Sequence, residues 1–235
     1  MKKYLDAGYD VDMAMLKSVT GFEQAVMSSD FIKADFMLVA GADINRPDIK
    51  GEPLLMRFKD RNTKRICYLV SRGANVNARN DGGETIIFKV ADSWRFDSFY
   101  DQAVMLEMLV KNGSDINIPD YFGVTPLMRA LERGRLDIMY QLLQYGYGAD
   151  INAIDYMGES ALFKTLRFTT NYAARLLIEY GIDINIQDLT GKTVLMRAME
   201  SKSYSKLIAP LLEEKNLDLS IRDYDGNSAK SLAWK

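Results

Sequence analysis

Apolar positions along the chain come in short bursts separated by polar turns. In the stretch GVTPLMRALERGRLDIMYQLLQYG, residues 123–146, the pattern predicts two helices. The first runs from Leu127 to about Glu132 and is broken at Gly134. The second sets Leu136, Ile138, Met139, Leu142 and Leu143 on one face, the spacing of a helix with one buried side. Gly146 is its expected stop, because glycine most readily takes the left-handed backbone of a helix end. No apolar run reaches the ~18 residues of a membrane-spanning helix, so no membrane is expected as a partner.

The burst recurs. GADIN (41–45), GANVN (73–77), GSDIN (113–117), GADIN (148–152) and GIDIN (181–185) each precede a polar turn opened by Asp48, Asn80, Asp120, Asp155 or Asp188. A weaker copy ends at Asp223, and successive turns stand 32, 40, 35, 33 and 35 residues apart. Such regularity marks a repeat architecture. Each turn closes on a glycine (Gly51, Gly83, Gly123, Gly158, Gly191, Gly226), suited to a backbone that other residues resist. Two residues later stands a hydroxyl expected to cap a helix: Thr85, Thr125, Ser160, Thr193 and Ser228, with Thr20 in the leading copy. Pro126 follows at the first helical position, where a missing N–H costs nothing. The second copy has Glu52-Pro53, keeping the proline and losing the hydroxyl. Gly41, Gly73, Gly113 and Gly181 are the stops of their copies, and Asn216 is the expected left-handed end of the last.

Turn, cap, helix, break, helix and glycine stop at about 33 residues resembles the ankyrin repeat. The phrase Thr125-Pro126-Leu127-Met128-Arg129-Ala130 is similar to the family's T-P-L-H-x-A, with Thr193-Val194-Leu195-Met196-Arg197-Ala198 and Thr85-Ile86-Ile87-Phe88 looser. The resemblance implies an all-α fold, an ankyrin-type α-solenoid of helix-turn-helix repeats joined by hairpin-like loops. It covers residues 15–235, read as repeats 15–47, 48–79, 80–119, 120–154, 155–187 and 188–222 with a partial 223–235. Residues 1–14 read as a partial N-terminal cap, since Leu5, Gly8 and Asp10 match a repeat ending. One domain, 1–235, is expected because cores should run from copy to copy. The half-repeats at the ends are either caps or parts of a longer array. The family's histidine, which ties neighbouring turns by hydrogen bonds, is replaced by Met56, Phe88, Met128, Phe163 and Met196, so apolar packing is expected at that seam. The third copy carries about seven extra residues near 92–101, either a lengthened helix pair or a projecting aromatic knob.

Composition narrows the function. The chain has no histidine, and 30 basic against 32 acidic residues leave a charge of −2. Nothing electrostatic calls for nucleic acid. Ser-His and Cys-His nucleophile pairs are excluded, as are zinc sites built from cysteine and histidine. No phosphate loop or dinucleotide fingerprint occurs, so no cofactor, no metal and no catalytic residue is expected. Asp223-Tyr224-Asp225-Gly226-Asn227 lacks the fifth-position ligand and closing Glu of a calcium loop and falls in register with the other turns. The single Cys67, in the apolar run Ile66–Val70, is expected to be buried and points to a reducing, cytoplasmic setting. Lys59, Arg61, Lys64 and Arg65 read as a solvated helix face.

What remains is binding. The resemblance implies a concave face of turn tips and first helices that grips another protein. The early tips are charged or small (Ile49, Lys50, Glu52; Asp81, Gly82, Glu84) and the middle ones apolar. Tyr121, Phe122, Val124, Tyr156 and Met157, then Leu189 and Tyr224, with Arg133, Arg167 and Phe168 at first-helix ends, are the partner-binding candidates. Their rings either shield one another or form an interaction hot spot. The expected function is a non-catalytic, monomeric interaction module; the alternative is a regulatory or effector segment of a longer polypeptide that inhibits or targets an enzyme.

Overall fold

The structure, a computed structural model, describes residues 20–58, 63–92, 99–144, 147–168 and 171–233. The reading of residues 1–14 as a cap, Gly146 as a stop, Lys59 and Arg61 in a basic face, and residues 93–98 of the insertion lie outside them. Among the described residues all regular structure is helical, apart from four isolated bridges that pinch the hairpin loops: Pro47–Pro53, Ile154–Ser160, Gln187–Thr193 and Arg222–Ser228. The ankyrin-type all-α class expected from the repeat is therefore what the chain adopts. The chain divides into two compact units, Met1–Asp115 and Ile116–Lys235.

In the first unit α1 (Gly21–Met27) pairs with α2 (Phe31–Val39), and a 3-10 turn at Leu54–Met56 precedes α3 (Thr63–Ser71). Then come α4 (Ile86–Asp92) and α5 (Phe99–Lys111). Thr20 caps α1 reciprocally with Glu23: the Glu23 N–H donates to Thr20 Oγ1 at 3.1 Å and the Thr20 N–H to Glu23 Oε2 at 3.2 Å. Phe22, Leu54, Ile66, Leu69, Ile86, Ile87, Phe88, Leu106 and Leu109 fill the interior, each burial contributing about 1.5–3 kcal/mol. With 13 residues, α5 is longer than the nine of α2 or α3, so part of the insertion extends the second helix.

The second unit holds α6 (Pro126–Glu132) and α7 (Leu136–Gln144), then α8 (Ala161–Lys164) running into a 3-10 turn at Thr165–Arg167, and α9 (Tyr172–Glu179). It ends with α10 (Val194–Met199), a 3-10 helix at Lys202–Leu207, α11 (Ile208–Leu212) and α12 (Ala229–Leu232). Gly134, at φ 69°, breaks α6 from α7 as its position in the pattern predicts. Ser29 occupies the equivalent place between α1 and α2. Among the described residues it is the one non-glycine with positive φ, at 60°, a conformation that an L side chain resists.

Several local expectations are corrected. Asn216 does not take the left-handed conformation; the chain turns instead through the Leu217 N–H to Glu214 C=O bond, and the Asn216 carbonyl accepts from Asn185. Thr85 and Ser160 are buried without a capping bond from their hydroxyls among the described residues. The reason is local: the N–H of Phe88 and of Phe163 bonds the cap residue's own carbonyl at 3.0 Å, in a tight 3-10 start that leaves the hydroxyl no donor. Thr125 and Thr193, whose helices open more loosely, accept from Met128 and Met196 at 3.3 and 3.4 Å. Cys67 is exposed, not buried. Ile66, Tyr68, Leu69 and Val70 take the inner positions of α3, leaving Cys67 on its outer side. Partial desolvation still pushes its thiol pKa up, which works against reactivity.

The seam that replaces the family's histidine is apolar, with Met56, Phe88, Met128, Phe163 and Met196 all buried. At Met128 a polar remnant survives: the Thr125 N–H points at its sulfur at 3.5 Å.

Candidate interaction surface

Each hairpin loop is organised by one side-chain oxygen. Asp120 Oδ1 accepts from the N–H of Phe122 at 2.8 Å and of Val124 at 3.0 Å. Asp155 holds Met157 and Glu159 at 2.8 and 3.0 Å, Asp188 holds Thr190 and Lys192 at 2.8 and 3.1 Å, and Asp223 holds Asp225 and Asn227 at 3.1 and 2.7 Å. In the first unit Asp48 bonds Lys50 and Glu52 at 2.8 and 2.9 Å, and the Asn80 amide oxygen bonds Gly82 and Glu84 at 3.0 and 2.9 Å. A turn closed by its own first side chain holds its shape whatever stands at the next two positions. Those two positions are the tip.

In the second unit the tips are joined to one another. The Tyr156 N–H donates to Phe122 C=O at 2.9 Å, Leu189 to Met157 at 2.8 Å and Tyr224 to Thr190 at 3.1 Å. Close approach at the first of these depends on Gly123, at φ 78°, where an added Cβ would lie 2.8 Å from Tyr156 Cδ1 and 2.9 Å from its backbone nitrogen. The Tyr156 ring therefore rests one edge on the preceding loop, and Tyr224 rests likewise on Gly191. Most of each ring stays in water. Tyr121 is 55% exposed, Phe122 70%, Tyr156 71%, Met157 61%, Leu189 58% and Tyr224 79%. Val124 does not belong with them. It is 8% exposed because it lies beyond the tip, where its N–H is taken by Asp120 and its carbonyl accepts the Asp120 N–H.

The first-helix ends form a second row. Arg133 follows α6, Arg167 ends the 3-10 turn after α8 and Phe168 follows it; both arginines are exposed and Phe168 is half-buried. Phe168 lies against Gly134, 3.7 Å from where a Cβ would stand. The turn Thr165–Arg167 packs on α6 and on the 3-10 helix Lys202–Leu207, which extends the row to Lys202.

Two periodic devices beneath this surface escape a reading of turns and helices alone. A cation stands nine residues after four of the five turn aspartates, Asp223 being the exception, and pairs with the outer oxygen: Arg129 with Asp120 at 2.9 Å, Lys164 with Asp155 at 2.6 Å and Arg197 with Asp188 at 2.6 Å. Arg57 reaches Asp48 at 3.7 Å and Glu23 at 3.1 Å. Burial tends to lower the Lys164 pKa, but Asp155 and Glu159 more than offset it, so the ammonium is held above its ordinary value. Burial likewise works to raise Asp188; its bonds from Thr190, Arg197 and the Lys192 N–H outweigh this and hold the carboxyl low. The second device is the asparagine of the recurring phrase. Asn117 accepts from the Asp150 N–H and donates to Gly148 C=O, both at 2.8 Å. Asn77 does the same with Asp115 and Gly113, and Asn185 with Asp218 and Asn216. Asn45 and Asn152 accept from Asn75 and Asp183 at 2.7 Å. Each one stitches its repeat to the next. Both signals stood in the sequence as fixed offsets: Asp to Arg or Lys at nine, and Asn closing every phrase.

Fold and surface together define a helical-hairpin repeat protein that carries large exposed apolar residues on consecutive loop tips of its second unit. A model of ankyrin repeats in three copies matches residues 66–155 and 98–188, more than half the chain. The chain belongs to the ankyrin-repeat family. Ankyrin-repeat domains bind other proteins. Among curated proteins it is similar to the B-cell lymphoma 3 protein homolog of Mus musculus, with 28% identity over 122 residues, 51% of this chain. The match spans 24% of that relative's length, about a quarter. Among solved structures it is similar to the ankyrin repeat domain of Bcl-3, described as a unique member of the IkappaB protein family. The TM-score is 0.74 at 19% identity, over 92% of this chain and 95% of the other, a likeness of fold. No helix among the described residues is long and apolar enough to cross a membrane.

Proposed function

We propose that the chain is a non-catalytic protein-binding module that holds its partner on the loop tips and first-helix ends of the second unit. The observation that carries this reading is the row Tyr121, Phe122, Tyr156, Met157, Leu189 and Tyr224, large apolar side chains left in water at consecutive tips. Turns are ordinarily polar, and the side-chain-closed frame would accept polar residues here, as its Asn80-closed counterpart does at Asp81-Gly82. The rings' contact with the preceding loop uses only one edge. Aromatic and Arg side chains on a rigid frame are what dominate the energetics of protein interfaces. The asparagine stitches and ion pairs supply that rigidity, so little ordering is left for binding to impose. The lone, poorly activated thiol suits a reducing, cytoplasmic setting, and the module is read as acting as a monomer.

The test is the triple variant Tyr121→Ala, Phe122→Ala, Tyr156→Ala. Far-UV helicity is expected to be unchanged, because these rings are exposed, while capture of a protein partner from the source cell is lost. Undiminished capture by a helical variant would place the binding face elsewhere.

A further inference from the structure

Beside the apolar tips runs the row of cations at the first-helix ends, and three acids near it pair with cations of the turns and first helices. Glu132 pairs with Arg129 at 3.4 Å and Lys164 at 3.6 Å, Glu159 with Lys164 at 2.8 Å, and Glu200 with Lys192 and with Arg197 at 3.4 Å. Arg133, Arg167 and Lys202 point outward on three neighbouring elements, α6, the turn Thr165–Arg167 and the 3-10 helix Lys202–Leu207, which pack in sequence. The seven residues of α6 separate the tip row from this cationic row by about 10 Å. The face thus has an apolar edge and a positive edge, running side by side across consecutive repeats.

Resting on the proposed function and deepening it, we infer that the partner presents an acidic segment in which Asp or Glu alternates with aromatic or aliphatic side chains. Its apolar groups would lie on Tyr121, Phe122, Tyr156, Met157 and Leu189, and its carboxylates would reach Arg133, Arg167 and Lys202. Planar guanidinium groups take carboxylates through two bonds at once, and complementary charge sets register and on-rate. A nucleic acid is disfavoured although it too would meet bases and rings. Met157 and Leu189 offer no stacking plane, the chain's formal charge is −2, and Asp225 stands beside Tyr224 at the last tip.

The experiment is selection of a displayed library of random peptides, about 16 residues long, on the full chain, followed by affinity measurement of the enriched sequences. Enriched peptides are expected to be acidic and to carry aromatic or aliphatic residues. The Arg133→Glu, Arg167→Glu double variant, with helicity checked by circular dichroism, should weaken them at least tenfold, about 1.4 kcal/mol. A peptide with its acids replaced by lysine should recover binding to that variant. Enrichment of neutral or basic peptides, or no acidic enrichment, would overturn the inference. So would affinity within twofold in the double variant, or equal binding of a single-stranded oligonucleotide through the same arginines. If the tip variant loses its cellular partner while the double arginine variant keeps it, the binding-module reading stands and the acidic partner falls.

Discussion

The two described tips of the first unit carry Ile49-Lys50 and Asp81-Gly82, while the four of the second carry Tyr121-Phe122, Tyr156-Met157, Leu189-Thr190 and Tyr224-Asp225. The turns beneath are the same, each closed by an Asp or Asn oxygen on two backbone N–H groups. What differs is the decoration. Among the described residues of the first unit the large exposed apolar side chains are Ile49, a stripe on α2 (Ile32, Phe36 and Val39), and, less exposed, Met27 and Val104. In the second unit six stand at the tips, with Ile154, Tyr172, Tyr180 and Leu212 elsewhere among the described residues. The frame is therefore indifferent to the residues it displays, and on the proposed function the choice of residues would carry the recognition.

The frames differ in one respect that matters for stability. Asn80 closes its turn as well as an Asp does but brings no charge, so Lys89 turns to Glu52 at 3.2 Å and Glu84 at 3.8 Å. Lys164 is more deeply buried and pairs with Asp155, Glu159 and Glu132. Its side chain is 6% exposed against Asp155 at 3%. The largest effect is thus expected from Asp155→Ala, which removes the buried ammonium's closest acid and opens the turn: a loss of about 3 kcal/mol in urea unfolding, the low end for a broken buried pair because Glu159 still reaches the ammonium. Asn80→Ala strands no charge and is expected to cost about 1–2 kcal/mol. Equal losses would refute the distinction between the two frames.

A smaller effect is pH dependence centred on Asp188. Its folded pKa is depressed, so its stabilisation is present above the ordinary carboxylate value of about 3.9 and is lost as pH falls through the lower folded value. Thermal unfolding should weaken on acidification below about pH 4, and Arg197→Met should make that decline shallower. An unchanged slope would mean that the carboxylate's partners do not hold it low.

The smallest is a gain. Ser29→Gly relieves the positive φ that Gly134 adopts freely in the second unit, and should stabilise by about 0.5 kcal/mol net of the lost Arg65 Nε to Ser29 Oγ bond. A loss would show that the bond outweighs the strain.

Legibility followed the range of the interaction. Asp120, Gly123 and Pro126 announce turn, left-handed residue and first helical position because each acts within about four residues of itself. Thr125 and Thr85 look alike in sequence but behave differently, since a tight or loose helix start decides whether the hydroxyl finds a donor. Tyr121 and Phe122 were recognisable as tips. Val124, two residues on, was not separable from them until the fold of the loop turned it inward.

By its own periodicity the sequence determined the helical-hairpin class, the turn positions, the glycine stops and the absence of histidine chemistry. Only the folded chain decided which oxygens meet which cations, that Cys67 faces out, and that Tyr156 and Tyr224 lean on the preceding loop without being buried. The physical reason is that backbone conformation is set by near neighbours, whereas burial and charge pairing depend on what the next repeat places alongside.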